Sequence, residues 1–415
     1  MRKISTFLMM AAMVFAMLSC GNSKLDPNTN DDLTEKWGIT YSHVNLGAYP
    51  DLFSKYWVYA FDAINNSDTG LKLQGKYPKT RFFSFSVYND RKGEVIDGLY
   101  DSEIEPDRGC VNPYRVTTDS EDNTFTIYIL KEGTDLSLFP DANEYNVCYY
   151  NNKVECVSVC LRHYLGVDEF GGVSLPSIQG VDLRTGKTVA APEPQVSLAT
   201  IMQQGNYQPL ESDELATVPF LLAPRGEYFP NSSTEYLYCR TRLGQDHVLA
   251  FSFIPVPVPE SVEEYATAKA RYWSICIGSV QNTRSYCSFY DKKLEYPQGE
   301  KVTVIVVSKN NPQLAQVKEA AKNIPYSYVL EWDETIVDDK GTAIGEIITV
   351  MYRNILPDRS WEYSISNLVP TPYGNPYNSI TDAERQVAHM ALGDYGPLGI
   401  KYSTAEFLQS SNLLK

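Results

Sequence analysis

One short pattern is written into this chain twice. Arg81-Phe82-Phe83-Ser84-Phe85 returns as Arg271-Tyr272-Trp273-Ser274-Ile275, and Tyr100-Asp101-Ser102-Glu103-Ile104-Glu105 returns as Tyr290-Asp291-Lys292-Lys293-Leu294-Glu295, both after 190 residues. Arg162-His163-Tyr164-Leu165 with Asp168 is echoed by Arg353-Asn354-Ile355-Leu356 with Asp358, at an offset of 190 or 191. Three matches in one order at nearly one spacing mark an internal duplication. Each half must therefore be able to build the same unit, and a period read in one copy has to hold in the other.

The repeated stretch has the period of a strand. In residues 81–87 one face holds Arg81, Phe83, Phe85 and Val87, and the other holds Phe82, Ser84 and Ser86; residues 271–277 repeat this with Arg271, Trp273, Ile275 and Ile277 opposite Tyr272, Ser274 and Cys276. Alternation of this kind buries the bulky set in a core and turns the small set toward a neighbouring layer or solvent. Residues 124–130 (TFTIYIL) match 301–307 (KVTVIVV) at a shorter offset of 177, because the first copy carries extra loop before them. Residues 145–150 and 154–164 read as two strands of a hairpin across Asn151-Asn152, and 181–190 as a hairpin across Arg184-Thr185-Gly186. Helical spacing or capping predicts short helices over 51–64, 261–270, 312–322 and 381–392. With 25 Gly, 24 Pro and 30 Tyr punctuating many short apolar runs, the fold class is mainly β: two tandem related antiparallel β-sandwich-like (jelly-roll-like) units with a few short peripheral helices. Ala191-Pro192-Glu193-Pro194 divides them into residues 37–191 and 192–415.

The first twenty residues have the three parts of an export signal: Arg2-Lys3, an apolar run over 7–18, then Ser19-Cys20-Gly21. Met17-Leu18-Ser19-Cys20 is similar to a bacterial lipobox, which implies lipidation at Cys20, a flexible tether over 20–36 and attachment to the outer membrane, on its periplasmic face or the cell surface. A formal charge of −15 excludes nucleic acid as a partner, since phosphate binding needs Lys and Arg clusters that this chain lacks. Seven further cysteines, an odd number, leave at least one thiol free in a monomer, with Cys276 and Cys287 as the leading disulfide candidates. No zinc spacing is present, and neither a metal nor a cofactor is expected.

Gly75-Lys76-Tyr77-Pro78 leading into Arg81-Phe82-Phe83-Ser84-Phe85, Gly171-Gly172-Val173-Ser174-Leu175-Pro176, Arg271-Tyr272-Trp273-Ser274, Tyr352-Arg353-Asn354-Ile355-Leu356-Pro357 and Gly393-Asp394-Tyr395-Gly396-Pro397 together resemble a group of exported bacterial lipoproteins of the Bacteroidetes type. These are related to domain-of-unknown-function proteins with an R-Y-W-S strand. The resemblance runs from about residue 50 to 402 and implies a β-rich fold, with no reaction, substrate or catalytic residue attached.

Nucleophile elbows, zinc-protease motifs and phosphate-binding glycine loops are missing. Two function classes follow from the repeated polar residues. In the first, Arg81, Arg271, Arg162 and Arg353 line a cleft between the copies and hold a small anionic ligand, while the loop tyrosines Tyr373 and Tyr377, with Trp361 and Tyr363 nearby, stack on a glycan. In the second, a hydrolase of glycan or envelope polymer draws its acids from Asp101, Glu105, Asp291 and Glu295. A plain surface scaffold is the third reading. Against the first two stands the structural role: each arginine staples a loop and each Asp pairs with the arginine of its own copy. His43, His163, His247 and His389 have no local ligand spacing and read as surface or core residues.

Overall fold

A computed structural model describes Trp37, residues 39–41, 49–195, 216–223, 231–338, 341, 343–368 and 387–410. The first unit consists of β1 (Ile39–Tyr41), β2 (Ser54–Asp62), β3 (Thr69–Lys76), β4 (Phe82–Asn89), β5 (Glu94–Tyr100), β6 (Thr124–Lys131), β7 (Val147–Tyr150), β8 (Cys156–Tyr164), β9 (Ser177–Asp182) and β10 (Thr188–Val189). They form two five-stranded sheets, ordered β1-β2-β8-β4-β5 and β10-β9-β3-β6-β7.

The second unit has β11 (Thr217–Pro219), β12 (Leu221–Leu222), β13 (Thr234–Arg242), β14 (His247–Phe253), β15 (Tyr272–Ser279), β16 (Ser285–Tyr290), β17 (Val302–Ser308), β18 (Ser327–Trp332), β19 (Ile347–Ile355) and β20 (Leu398–Ser403). Its sheets run β12-β13-β19-β15-β16 and β11-β20-β14-β17-β18. Strand for strand, β2 to β9 map onto β13 to β20 in the same sheet positions. The duplication is thus a structural fact, and Phe83 and Trp273 sit on matching strands. Only the outermost strands depart: β10 follows its sandwich in sequence, whereas β11 precedes the one it joins.

Inward alternation builds the two cores as the sequence predicts. Trp57, Phe61, Leu71, Phe83, Phe85, Val87, Phe125, Ile127 and Val159 fill the first sandwich, and Leu237, Leu249, Phe251, Trp273, Ile275, Ile277, Val302, Val304 and Val350 fill the second. At roughly 1.5–3 kcal/mol for each large side chain removed from water, these layers hold each unit together. The opposite face of β4 and β15 is buried too, so a second layer must cover it.

Several details differ from the sequence reading. The 51–64 stretch holds strand β2 (Ser54–Asp62) rather than a helix. Both faces of β2 are covered, so apolar residues occur on each and imitate helical spacing. β7 and β8 do not make a hairpin: β7 joins the other sheet, parallel to β6, as β18 runs parallel to β17. Each mainly antiparallel sandwich therefore contains one parallel pair. The 261–270 stretch keeps only a 3-10 turn at Val262–Glu264, with no side-chain cap from Ser261. Among the described residues the α-helices are α1 (Leu314–Ala321), α2 (Val387–Leu392) and α3 (Thr404–Ser410). Cys276 pairs with Ser288 across the β15–β16 ladder and Cys287 with Ile277, which puts the two sulfurs on opposite faces and rules out a disulfide between them. All seven described cysteines are free thiols. Cys20 and the tether lie outside the described residues.

Two repeated irregularities mark the units as copies. Leu165 and Leu356, which close the Arg-x-x-Leu motif, both have positive φ, 52° and 48°. This conformation costs an L-residue roughly 1–2 kcal/mol, and each Leu N–H is held by a carbonyl just before the first long strand of its unit, from Phe53 and Ser233. Both β4 and β15 also carry a bulge, at Val87/Tyr88 and at Ile277/Gly278. Where the first unit has Tyr88, the second has Gly278, and the ring of Tyr49 lies against it. A Cβ there would meet Tyr49 Cδ1 at 2.4 Å and the Arg284 carbonyl at 2.7 Å. Gly278→Ala is accordingly expected to lower unfolding stability by about 1–3 kcal/mol, measured by denaturant titration, and removing the Tyr49 ring as well should recover part of that loss.

Candidate functional site

The two units meet through the outer faces of their β4- and β15-containing sheets, about a pseudo-twofold axis. Phe82, Tyr164, Tyr272 and Ile355 form a buried cluster flanked by Tyr100, Leu165, Tyr290 and Leu356. Tyr164 packs on Tyr272 with ring centroids 5.8 Å apart. Each member from one unit has its repeat counterpart from the other, as in an isologous dimer interface.

Around this cluster the repeated ions exchange partners. Arg81 Nη1 lies 3.2 Å from Asp291 Oδ1, and Arg271 Nη1 lies 3.0 Å from Asp101 Oδ2. Each arginine therefore pairs with the aspartate of the other copy, which corrects the expected pairing within a copy. Phe83 N and Trp273 N donate to Asp101 and Asp291, each at 3.4 Å. Arg81 Nε also donates to the Arg271 carbonyl at 3.1 Å, and the Arg271 guanidinium stacks 3.5 Å above the Tyr265 ring. Burial pushes both carboxyls up to about 6, against the downward pull of the facing arginine and of the backbone N–H donors. Buried pairs of this kind hold geometry firmly, because removing one partner strands the other away from water.

The other two arginines lie deeper on the same faces. Arg353 donates to Asp51 Oδ2 at 2.8 Å through Nη1 and to the Tyr49 carbonyl at 2.9 Å through Nη2. Asp51 Oδ2 also accepts from Ser274 Oγ at 2.6 Å and from Tyr272 OH at 2.9 Å. A segment between β1 and β2 of the first sandwich thus clasps the second. Arg162 donates to Ser86 Oγ at 2.7 Å and to Tyr88 OH. All four arginines lie on the facing sheets of the units, three of them paired with the protein's own carboxylates and Arg162 with hydroxyls alone. The apolar cluster stands where the sequence reading put an open cleft.

The acids do not assemble as a hydrolytic pair. Asp101 and Asp291 are locked as described, Glu105 pairs with Arg115 at 2.7 Å, and Glu295 is exposed. The chain turns directly after Asp101 and Asp291 rather than continuing as a strand. His163 is buried edge-on against Trp57 and Phe83, and burial drives its imidazole down to about 3, so it is neutral. Tyr373, Tyr377 and His43 lie outside the described residues. Among the described residues no group of His, Cys, Asp and Glu has metal-binding geometry.

Sequence reasoning missed Asp51 and Tyr49. Their signal was present as Tyr49-Pro50-Asp51 and Phe229-Pro230-Asn231, an aromatic-Pro-Asx triplet before β2 and before β13, but its offset of 180 differs from that of the other repeats. A second grouping is on the surface of the second unit. Trp361, Tyr363 and Tyr395 are all partly exposed and touch one another, with Trp361–Tyr395 centroids 5.0 Å apart and Tyr363–Tyr395 stacked at 4.6 Å.

No family model and no curated protein matches this chain. Among solved structures it is similar to an uncharacterised protein from Burkholderia cenocepacia, at 11% identity and a TM-score of 0.44 over 77% of this chain and 78% of that one. It is also similar to the VPA0106 protein from Vibrio parahaemolyticus, at 9% identity and a TM-score of 0.39 over 76% and 88%.

The raised carboxyls give a pH dependence whose sign is fixed. Between pH ~4 and ~6 the native state keeps protons on Asp101 and Asp291 that the unfolded chain has released, so their contribution to stability falls as pH rises through that window. Relative to wild type, Asp101→Asn should gain about 1.4 kcal/mol per pH unit across the window, and nothing outside it. Urea unfolding at pH 4.5, 5.5 and 7.5 checks this; a gain for wild type instead would mean that Arg271 outweighs burial.

Proposed function

We propose that this is an exported, envelope-anchored binding or accessory protein, held to the outer membrane through lipid on Cys20, that meets glycan through partly exposed aromatic rings. The observation that carries the reading is the cluster of Trp361, Tyr363 and Tyr395. Trp361 and Tyr395 lean on the core of the second sandwich, which holds the rings in place before a ligand arrives. Next to Tyr395, Asp394 pairs with Lys301 at 2.7 Å, and the neighbouring helix α2 exposes Met390 to 62%. Sugar rings are bound by this combination of apolar ring faces and a polar rim.

The arginines take a different part in this reading from the one first expected of them. Arg81, Arg271 and Arg353 bridge the two units and Arg162 bonds within its own, while the rings of the ligand surface belong to the second unit. Hydrolysis is disfavoured by the locked state of Asp101 and Asp291.

A glycan array probed with the chain lacking residues 1–20 tests the proposal, followed by titration of any glycan retained. Tyr363→Ala is expected to weaken binding about tenfold or more, as loss of a contacting aromatic does, with an unchanged melting temperature. Equal binding by wild type and variant would remove the cluster from the reading, and an empty array would remove the glycan.

A further inference from the structure

The two units set a serine opposite an arginine at matching places on their facing sheets, yet of these two arginines only Arg353 has a counter-charge. In the second unit, Ser274 and Arg353 lie opposite each other across the β15–β19 ladder and share the Asp51 carboxylate. In the first unit, Ser84 and Arg162 hold the matching positions across β4 and β8. Even the orientation repeats: Arg353 Nη1 reaches Cys276 Sγ, and Arg162 Nη1 reaches Ser86, the residue at the same place.

Asp51 has no acidic equivalent for Arg162. Its repeat counterpart is Asn231, whose Oδ1 accepts from Ser233 N at 3.0 Å just as Asp51 Oδ1 accepts from Phe53 N at 2.9 Å. The second polar atom of Asn231 is an amide nitrogen, and it donates to Thr234 Oγ1 at 3.0 Å. Arg162 is 3% exposed, and its side-chain hydrogen bonds go to the neutral hydroxyls of Ser86 and Tyr88. No carboxylate lies within ion-pair distance of it among the described residues.

The hydroxyl of Ser84, itself 1% exposed, has no hydrogen-bond partner, and neither has that of Ser158 on the same face. A guanidinium buried without a counter-charge is among the costliest arrangements in a protein interior. Unsatisfied donors beside it point to something absent from the chain.

We propose that Ser84 and Arg162 together bind a small monovalent anion, a carboxylate of formate or acetate size or a halide, which does for Arg162 what the Asp51 carboxylate does for Arg353. The anion takes one hydrogen bond from Ser84 Oγ and one from Arg162 Nη1. Phe82 replaces the Tyr272 hydroxyl, so this pair offers one donor fewer than the Asp51 site and suits a small ligand. This site is independent of the aromatic cluster and of the glycan reading.

The test is thermal unfolding of the full chain at constant ionic strength, in sodium gluconate as the bulky reference and with formate or chloride replacing it. Wild type should show a saturable rise in melting temperature of ~2–4 °C with formate, with chloride or with both, and the two arms identify the anion. Asn231→Asp supplies the missing carboxylate from the chain itself. It should raise the melting temperature in gluconate and abolish the anion response. Asp51→Asn should likewise leave Arg353 without a carboxylate and enlarge the response. A wild-type melting temperature indifferent to both anions, or a response equally large in Asn231→Asp, would overturn the proposal.

Discussion

Two ion pairs that swap partners across a pseudo-twofold axis fix how the halves of this protein sit together. Arg81 reaches Asp291 and Arg271 reaches Asp101, and both aspartates accept backbone N–H groups from the strands that carry the arginines' neighbours. An aspartate is thus anchored in its own unit and charged against the other. Burial makes such a contact all-or-none, because a unit that slides or rotates leaves a guanidinium and a carboxyl stranded together. The apolar cluster between them adds area, and the ions add register.

Symmetry of this kind is what a self-complementary dimer would leave behind after fusion of its two chains, and the departures from it show what fusion permits. Once two copies lie on one chain, each can change alone. Gly278 replaces the aromatic that its counterpart Tyr88 supplies, and Tyr49, from between β1 and β2, fills the room. Asp51 beside it neutralises Arg353, while Asn231 leaves Arg162 with hydroxyl partners. The first unit therefore clasps the second with a charge that the second does not return.

Much of the fold was legible because alternation is local. The inward set Phe83, Phe85, Val87 and its copy Trp273, Ile275, Ile277 could be read from seven letters each, and burial follows them. What failed was non-local. Strand β2 looked helical because both of its faces are covered, and the cover on its outer face comes from elsewhere in the fold. The turn at Asn151-Asn152 looked like a hairpin because letters do not say which sheet a strand joins. The arginines and aspartates were found as a repeated set, but spacing within a copy cannot distinguish a partner in that copy from the same residue in the other. A twofold arrangement makes the two assignments identical in composition and opposite in geometry.

Whether the ion pairs exchange partners across the axis is measured by a pair of double-mutant cycles. One cycle combines Arg271→Ala with Asp101→Ala, the other Arg271→Ala with Asp291→Ala, with unfolding free energy as the readout. Exchange across the axis predicts a coupling of roughly 1–3 kcal/mol in the first cycle and no more than about 0.5 kcal/mol in the second. Coupling confined to the second cycle would place each ion pair inside its own unit and contradict the account.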